Sequence, residues 1–219
     1  MTEVRQRRSQ AERSAGTRRQ LLDAAIETLH AHGYGATTTI LVAEKAGVSR
    51  GAMLHQFRTK ADLMTYVVEA VFEEELDRYA EKLGGIADAE KRLLAYPEIA
   101  WEVLSRPSGV AVLEILQGSR SDPELAGKLG PVQDRIEHEA LERGGVAFKA
   151  GERSAVAMMR LIVWAIRGLS VAQVLAPDPK GVVDSVKLLR KLLEAGFATG
   201  LLSLDRSDEE RAGRVAKKG

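Results

Sequence analysis

Hydrophobic residues along this 219-residue chain recur at three- and four-residue intervals almost everywhere, and nowhere do they alternate long enough to mark a half-buried strand. The pattern predicts an all-α fold. The first sixteen residues carry no apolar stripe, whereas Thr17 to His32 sets Leu21, Leu22, Ala25, Ile26 and Leu29 on one face, and Gly33 with Gly35 stops that helix. A short helix is predicted over Ile40 to Ala46, then a tight turn with φ > 0 at Gly47, then a second short helix capped by Ser49. Small Ala43 lets the two cross closely, and Val48 and Met53 are spaced to plug the gap between them. This is the arrangement of a helix-turn-helix.

Thr59 and Asp62 form a capping pair that opens an amphipathic helix from Lys60 to about Lys82, burying Leu63, Val67, Ala70, Val71 and Leu76. Asp88 opens another helix, in which Pro97 either makes a kink or begins a new element; Pro107, Asp122-Pro123 and Asp178-Pro179 mark later starts. Ser154 to Ala176 is apolar nearly all round except Arg160 and Arg167, which predicts the central buried helix of a C-terminal body. The last long helix, about Lys180 to Leu204, carries Val182, Val186, Leu189, Leu193 and Phe197 on one face, with Gly196 and Gly200 four apart. Glycine inside a helix costs about 1 kcal/mol relative to alanine, so another helix is expected to approach there, and a self-associating face follows.

The organisation expected is therefore a mobile basic arm over 1–16, a helix-turn-helix domain over 17–59, a connecting helix with a helical body over 60–204, and a charged tail over 205–219. Absence of cysteine excludes disulfides, Cys-ligated zinc, iron–sulfur clusters and thiol nucleophiles, and fits a reducing cytoplasm. The arginines near the N-terminus are followed by no apolar core of a secretory signal, and the arginines within 154–176 argue against a membrane span. The net charge of +1 conceals an asymmetry: residues 1–60 hold 10 Lys/Arg against 5 Asp/Glu, leaving 22 against 26 for the remainder. A basic head on a mildly acidic body suits an anionic partner at one end, nucleic acid first among candidates, although a solvated arginine-rich tail has the same signature.

From Thr17 to about Glu75 the chain resembles the DNA-binding head of the tetracycline-repressor-like (TetR) family of bacterial regulators. The resemblance is carried by His32-Gly33-Tyr34, Thr38-Thr39, the run Val42-Ala43-Glu44-Lys45-Ala46-Gly47-Val48-Ser49-Arg50-Gly51, and Phe57, Lys60 and Leu63. It implies a homodimer bound to a double-stranded DNA operator through Thr38, Thr39, Ser49, Arg50, Gly51, Leu54, His55, Gln56 and Lys60, with Arg18 and Arg19 as further backbone contacts. A recognition helix enters the major groove N-terminus first, so Arg50 is the candidate for bidentate guanine readout and Lys60 for a phosphate clamp. Family members commonly carry Tyr and, two positions on, His near the end of that helix; this chain has Leu54 and Gln56, with His55 between.

The resemblance further implies a small-molecule effector pocket in the body and a dimer built on the last two long helices, with no cofactor and no membrane. Pocket candidates are Tyr66, Phe72, Tyr96, Trp101, Leu116, Gln117, Arg120, Met158, Met159, Ile162 and Trp164, chosen as apolar walls with a few polar groups, although residues of this kind equally make plain core. The dimer face is Val182, Val186, Leu189, Leu193, Gly196, Phe197 and Gly200. Repression is the family's usual mode. Two competing readings remain: a metal-binding protein using Asp134, His138 and Glu142 at four-residue spacing, and a helical interaction protein that binds no operator. The run Glu73-Glu74-Glu75 reads as solvated surface, since three consecutive acids point in different directions around a helix.

Overall fold

A computed structural model describes residues 10–144 and 152–202. Among them there are helices and no strands, in the order α1 (Gln10–Ala36), α2 (Thr39–Lys45), α3 (Arg50–Gln56), α4 (Lys60–Leu83), α5 (Ala89–Leu104), α6 (Pro107–Gly118), a 3₁₀ turn (Ser119–Ser121), α7 (Pro123–Gly144), α8 (Glu152–Leu175) and α9 (Pro179–Ala198). The all-α expectation is met. Helix α1 starts at Gln10, seven residues before the apolar stripe does, so Gln10–Gly16 is helical rather than part of an arm. A helix needs its stripe only where it packs, and the extra turns are mostly exposed. Residues 1–9 and the tail from 203 lie outside the described residues.

Two compact units emerge. The first comprises the chain up to Ala70 together with Ala111–Leu129, and the second comprises Val71–Val110 with the chain from Gly130 onward. In the first, Leu21, Leu22, Ala25 and Leu29 of α1 pack with Val42, Ala43, Met53 and Phe57, all buried. α1 is broken at Gly33 (φ 73°, ψ 173°), as its glycine predicts. Gly47 takes φ 65° between α2 and α3, and the Val48 amide donates to the Ala43 carbonyl at 2.9 Å, closing the turn. Thr59 and Asp62 cap α4 reciprocally: the Thr59 amide donates to Asp62 Oδ2 (3.0 Å) and the Asp62 amide to Thr59 Oγ1 (3.1 Å).

In the second unit α5, α8, α9 and the end of α4 share a core of Leu83, Leu93, Tyr96, Ala100, Val103, Leu104, Ile162, Ile166, Val186 and Leu193. Pro97 is buried inside α5, which continues through it to Leu104. Helix α8 is less enclosed than its composition predicts: Ile162 and Ile166 are fully buried, but Leu161, Trp164 and Leu175 are 61%, 54% and 78% exposed. By length and composition Ala157–Leu175, mean hydropathy 1.4, suffices to cross a membrane despite its arginines. In the structure one side of it is core and the other an open apolar face.

The face assigned to self-association on α9 is turned inward. Val182, Val186, Leu193 and Gly196 are buried, and Leu189 and Phe197 pack on the same core. Helix α9 ends at Ala198, not Leu204: Gly200 adopts φ 74°, and the Leu202 amide donates to the Gly196 carbonyl at 2.9 Å. A Cβ on Gly196 would lie 2.7 Å from Leu202 Cδ1, so this glycine accommodates the chain's own return rather than a second helix. Periodicity finds the most apolar face of a helix, and a helix spends that face on its own core first. The large apolar side chains that remain exposed on α9 are Val183 (42%), Leu188 (57%) and Leu192 (61%).

Candidate functional site

The short helices α2 and α3 are begun by side chains, not by propensity. Thr38 Oγ1 accepts from the Leu41 amide at 3.1 Å, and Ser49 Oγ from the Ala52 amide at 3.2 Å. Each hydroxyl keeps its own proton to donate, so cap and phosphate contact are compatible at both positions. Arg50 stands at the first position of α3, exposed, with no intrachain partner among the described residues. Gly51, Leu54 and His55 are exposed on the same short helix, Leu54 at 48%, while Met53 beneath it is 1% exposed. Thr39 is half-buried. Nothing lies within 4 Å of where a Gly51 Cβ would be, so the chain itself has no need of glycine there.

Four expected contacts have partners within the chain. Gln56 accepts at Oε1 from Arg18 Nε (3.1 Å) and donates from Nε2 to Ser14 Oγ (2.9 Å), tying the end of α3 to α1. The Arg18 guanidinium lies over the rings of Phe57 (5.4 Å) and Tyr66 (5.2 Å), and those rings are 5.0 Å apart. Arg18 is thus a structural cation of the head, whereas Arg19 pairs with Asp23 at 3.1 Å on the surface. Lys60 Nζ donates to the Tyr34 carbonyl at 2.6 Å and sits 3.7 Å from that ring's centre; burial lowers its pKa. In this arrangement its ammonium holds the end of α1.

Tyr34 is the hub of the first unit's polar contacts. Its amide donates to Glu114 Oε2 (3.0 Å), its hydroxyl to Asp122 Oδ2 (2.6 Å), and its ring packs where a Cβ on Gly118 would be, 2.3 Å away. The hydrogen bond from Tyr34 is the largest influence holding the Asp122 carboxyl below its usual range, followed by that from the Leu125 amide. Lys128 bonds Asp62, which is likewise lowered, first by that bond. Thr59 Oγ1 donates to Glu124 Oε1 at 2.8 Å. The end of α1 and the start of α4 are thereby fastened to the segment Ala111–Leu129.

The pocket candidates divide between the units: Tyr66, Leu116, Gln117 and Arg120 belong to the first, the other seven to the second. Tyr96 and Ile162 are core residues, with Trp101, Met158 and Met159 packed against the same core. Phe72 is 7% exposed. Trp164, Gln117 and Arg120 face outward. Charged and aromatic groups that the sequence reading passed over lie in this second unit. Glu75, read as surface, is 7% exposed and faces Arg167 Nη2 at 3.6 Å; burial raises its pKa against the pull of that arginine. One turn along α4, Tyr79 stacks on Tyr96 (centroids 5.2 Å, 7°), and burial pushes the Tyr96 hydroxyl up to about 12. The signal was present, since Val68, Val71, Phe72 and Tyr79 place Glu75 on the apolar stripe of α4. Among the described residues no cluster of His, Asp and Glu is disposed to hold a metal; the side chain of Glu142 lies outside them.

A capped pair of short helices with an exposed second helix, carried ahead of a helical body, defines the helix-turn-helix class of DNA-binding regulators. Residues 21–67 match the family model for bacterial regulatory proteins, tetR family. Along 194 residues, 87% of this chain and 99% of the relative, the sequence is 24% identical to an uncharacterized HTH-type transcriptional regulator of Mycobacterium bovis. It is 30% identical over 128 residues, 58% of this chain and 62% of the relative, to the HTH-type transcriptional repressor AcnR of Corynebacterium diphtheriae. The fold is similar to a putative transcriptional regulator from Saccharomonospora viridis in complex with choline, with TM-score 0.60, 21% identity, and coverage of 88% of this chain and 100% of that one. Residues 21–67 thus carry the DNA-binding head of the tetR family, and the chain as a whole is similar to helix-turn-helix transcriptional regulators.

Proposed function

We propose that this regulator is a repressor that grips a near-palindromic operator as a homodimer and lets go when a small molecule binds its body. The observation carrying the DNA half is the exposed edge of α3, where Arg50, Gly51, Leu54 and His55 are open to solvent while Met53 anchors the helix from below. Arg50 reads a base edge; the hydroxyls of Thr38 and Ser49 bind phosphates; Leu54, in place of a tyrosine, offers a methyl-rich contact of the kind that suits thymine. Half-sites on a twofold dimer would lie about 34–36 Å apart, or a multiple of that.

The dimer is carried by the apolar faces left open on the last two helices, Leu161, Trp164 and Leu175 on α8 with Leu188 and Leu192 on α9. Large side chains exposed at helical spacing on two neighbouring helices favour burial against a second copy. The effector half is supported by relatives, one of whose solved structures is described in complex with choline. The chain passes between the two units within α4, α6 and α7, so head and body draw on the same helices. Such a regulator works in the cytoplasm, where the chromosome is. Genome-wide mapping of the protein on its own chromosome tests the reading: it predicts a few sites sharing a twofold-symmetric sequence, and binding scattered without sequence preference would contradict it.

A further inference from the structure

Among the described residues, the second unit contains buried polar atoms without a hydrogen-bond partner. Glu75 Oε2 faces Arg167 at 3.6 Å, longer than a tight ion pair, while Arg167 Nη1 donates to the Gly109 carbonyl at 3.3 Å. The other carboxylate oxygen, Glu75 Oε1, is buried without a hydrogen-bond partner among the described residues. One helical turn on, the buried hydroxyl of Tyr79 makes no well-formed hydrogen bond among the described residues, although its ring stacks on Tyr96 and the Tyr96 hydroxyl lies beside it. Buried polar atoms without a partner are rare in native proteins, and two at i and i+4 share one face of α4.

Charge decides what suits them. Glu75 feels Arg167 and Arg78, and Arg78 is itself 3.7 Å from Glu74, so two cations are already matched by two carboxylates. A charged guest, of either sign, would leave one charge out of water and uncompensated. A neutral hydroxyl leaves none: its O–H donates to Glu75 Oε1 and its oxygen accepts from the Tyr79 hydroxyl, answering both atoms at once. Burial raises the Glu75 carboxyl, and a donated hydrogen bond, which favours the ionised form, acts against that.

Resting on the reading of this chain as effector-responsive, we propose that Glu75 and Tyr79 form the polar end of the effector site, and that the effector is a neutral alcohol or phenol with an apolar body. The apolar part lies against the Tyr79–Tyr96 stack, where Trp101 and Met158 border the same core. Arg167 joins this end to Gly109 in the first turn of α6, so a guest that draws on Glu75 also alters the grip of Arg167 on α6.

Four one-ring probes of similar size separate the possibilities: 4-ethylphenol, 4-ethyltoluene, 4-ethylbenzylammonium and 4-ethylbenzoate, titrated against the full chain while tryptophan emission and the melting temperature are followed. The phenol should bind at least tenfold more tightly than the other three. Tyr79→Phe removes one unanswered hydroxyl, so the free protein should melt no lower than wild type, yet its affinity for 4-ethylphenol should fall about tenfold. Preference for the cation, the anion or the hydrocarbon overturns the proposal, as does phenol binding untouched by Tyr79→Phe, or no binding by any probe. If 4-ethylphenol binds as stated but leaves operator affinity unchanged, the site stands and effector responsiveness fails. If a compound library releases DNA while all four probes are inert, the reverse holds.

Discussion

Two glycines in this chain separate demands of the fold from demands of the ligand. A Cβ on Gly118 would sit 2.3 Å from the Tyr34 ring, so Gly118→Ala should destabilise the protein by about 1–3 kcal/mol, read from denaturant unfolding. Gly51 meets nothing within 4 Å and lies in α3, so Gly51→Ala should leave stability unchanged or raise it by up to about 1 kcal/mol. Its cost should appear only in operator affinity, because the added methyl group stands where DNA approaches; equal affinity in an anisotropy titration would remove Gly51 from the interface. Tyr34 offers a test in pH. The carboxyls of Asp122 and Asp62 hold their protons less tightly in the folded state than when unfolded, through Tyr34 and Lys128 respectively. Their contribution to stability is complete above the ordinary carboxylate range and fades as pH falls through the lowered folded values, so melting temperature should drop below about pH 4. Tyr34→Phe should flatten that fall, and an unchanged slope would show that Asp122 draws nothing from the tyrosine. What sequence reading missed at this scale was partnership at a distance. Lys60 meets Tyr34 26 residues away, and Gln56 meets Arg18 38 residues away, and no local pattern announces either.

Whole helices were more legible where their signals were local. Thr38, Gly47, Ser49 and the Thr59–Asp62 pair act within three or four residues of themselves, and the helix-turn-helix appears where they put it. Ser49→Ala should cost about 1 kcal/mol of stability by leaving the Ala52 amide without its cap. Faces were less legible, because periodicity ranks apolar stripes without saying what covers them. On α9 the strongest stripe belongs to the chain's own core, and the weaker one, Leu188 and Leu192, is open. On α4 the acidic run concealed one buried member, since a charge enters a stripe only when a distant partner such as Arg167 meets it. Replacing both Leu188 and Leu192 by glutamate should yield a folded monomer by sedimentation velocity, with operator affinity reduced at least tenfold. A variant that remains dimeric would place the self-association elsewhere.

At the scale of the whole molecule three features matter: an exposed second helix in the head, an open apolar face, and buried polar atoms in the body without hydrogen-bond partners among the described residues. The basic head supplies attraction to any duplex, so sequence-independent affinity alone says little; what marks a regulator is the difference between one site and the rest. That difference is assigned here chiefly to Arg50, which is exposed at the start of α3 and has no intrachain partner among the described residues. The most direct test is a competition titration of wild type and Arg50→Ala on the twofold-symmetric fragment recovered by chromosomal mapping, against a scrambled duplex of equal length. Wild type should prefer the fragment strongly, and Arg50→Ala should lose about 1–3 kcal/mol of that preference per half-site while melting like wild type. Equal preference in the two proteins would contradict the assignment of sequence reading to the leading edge of α3.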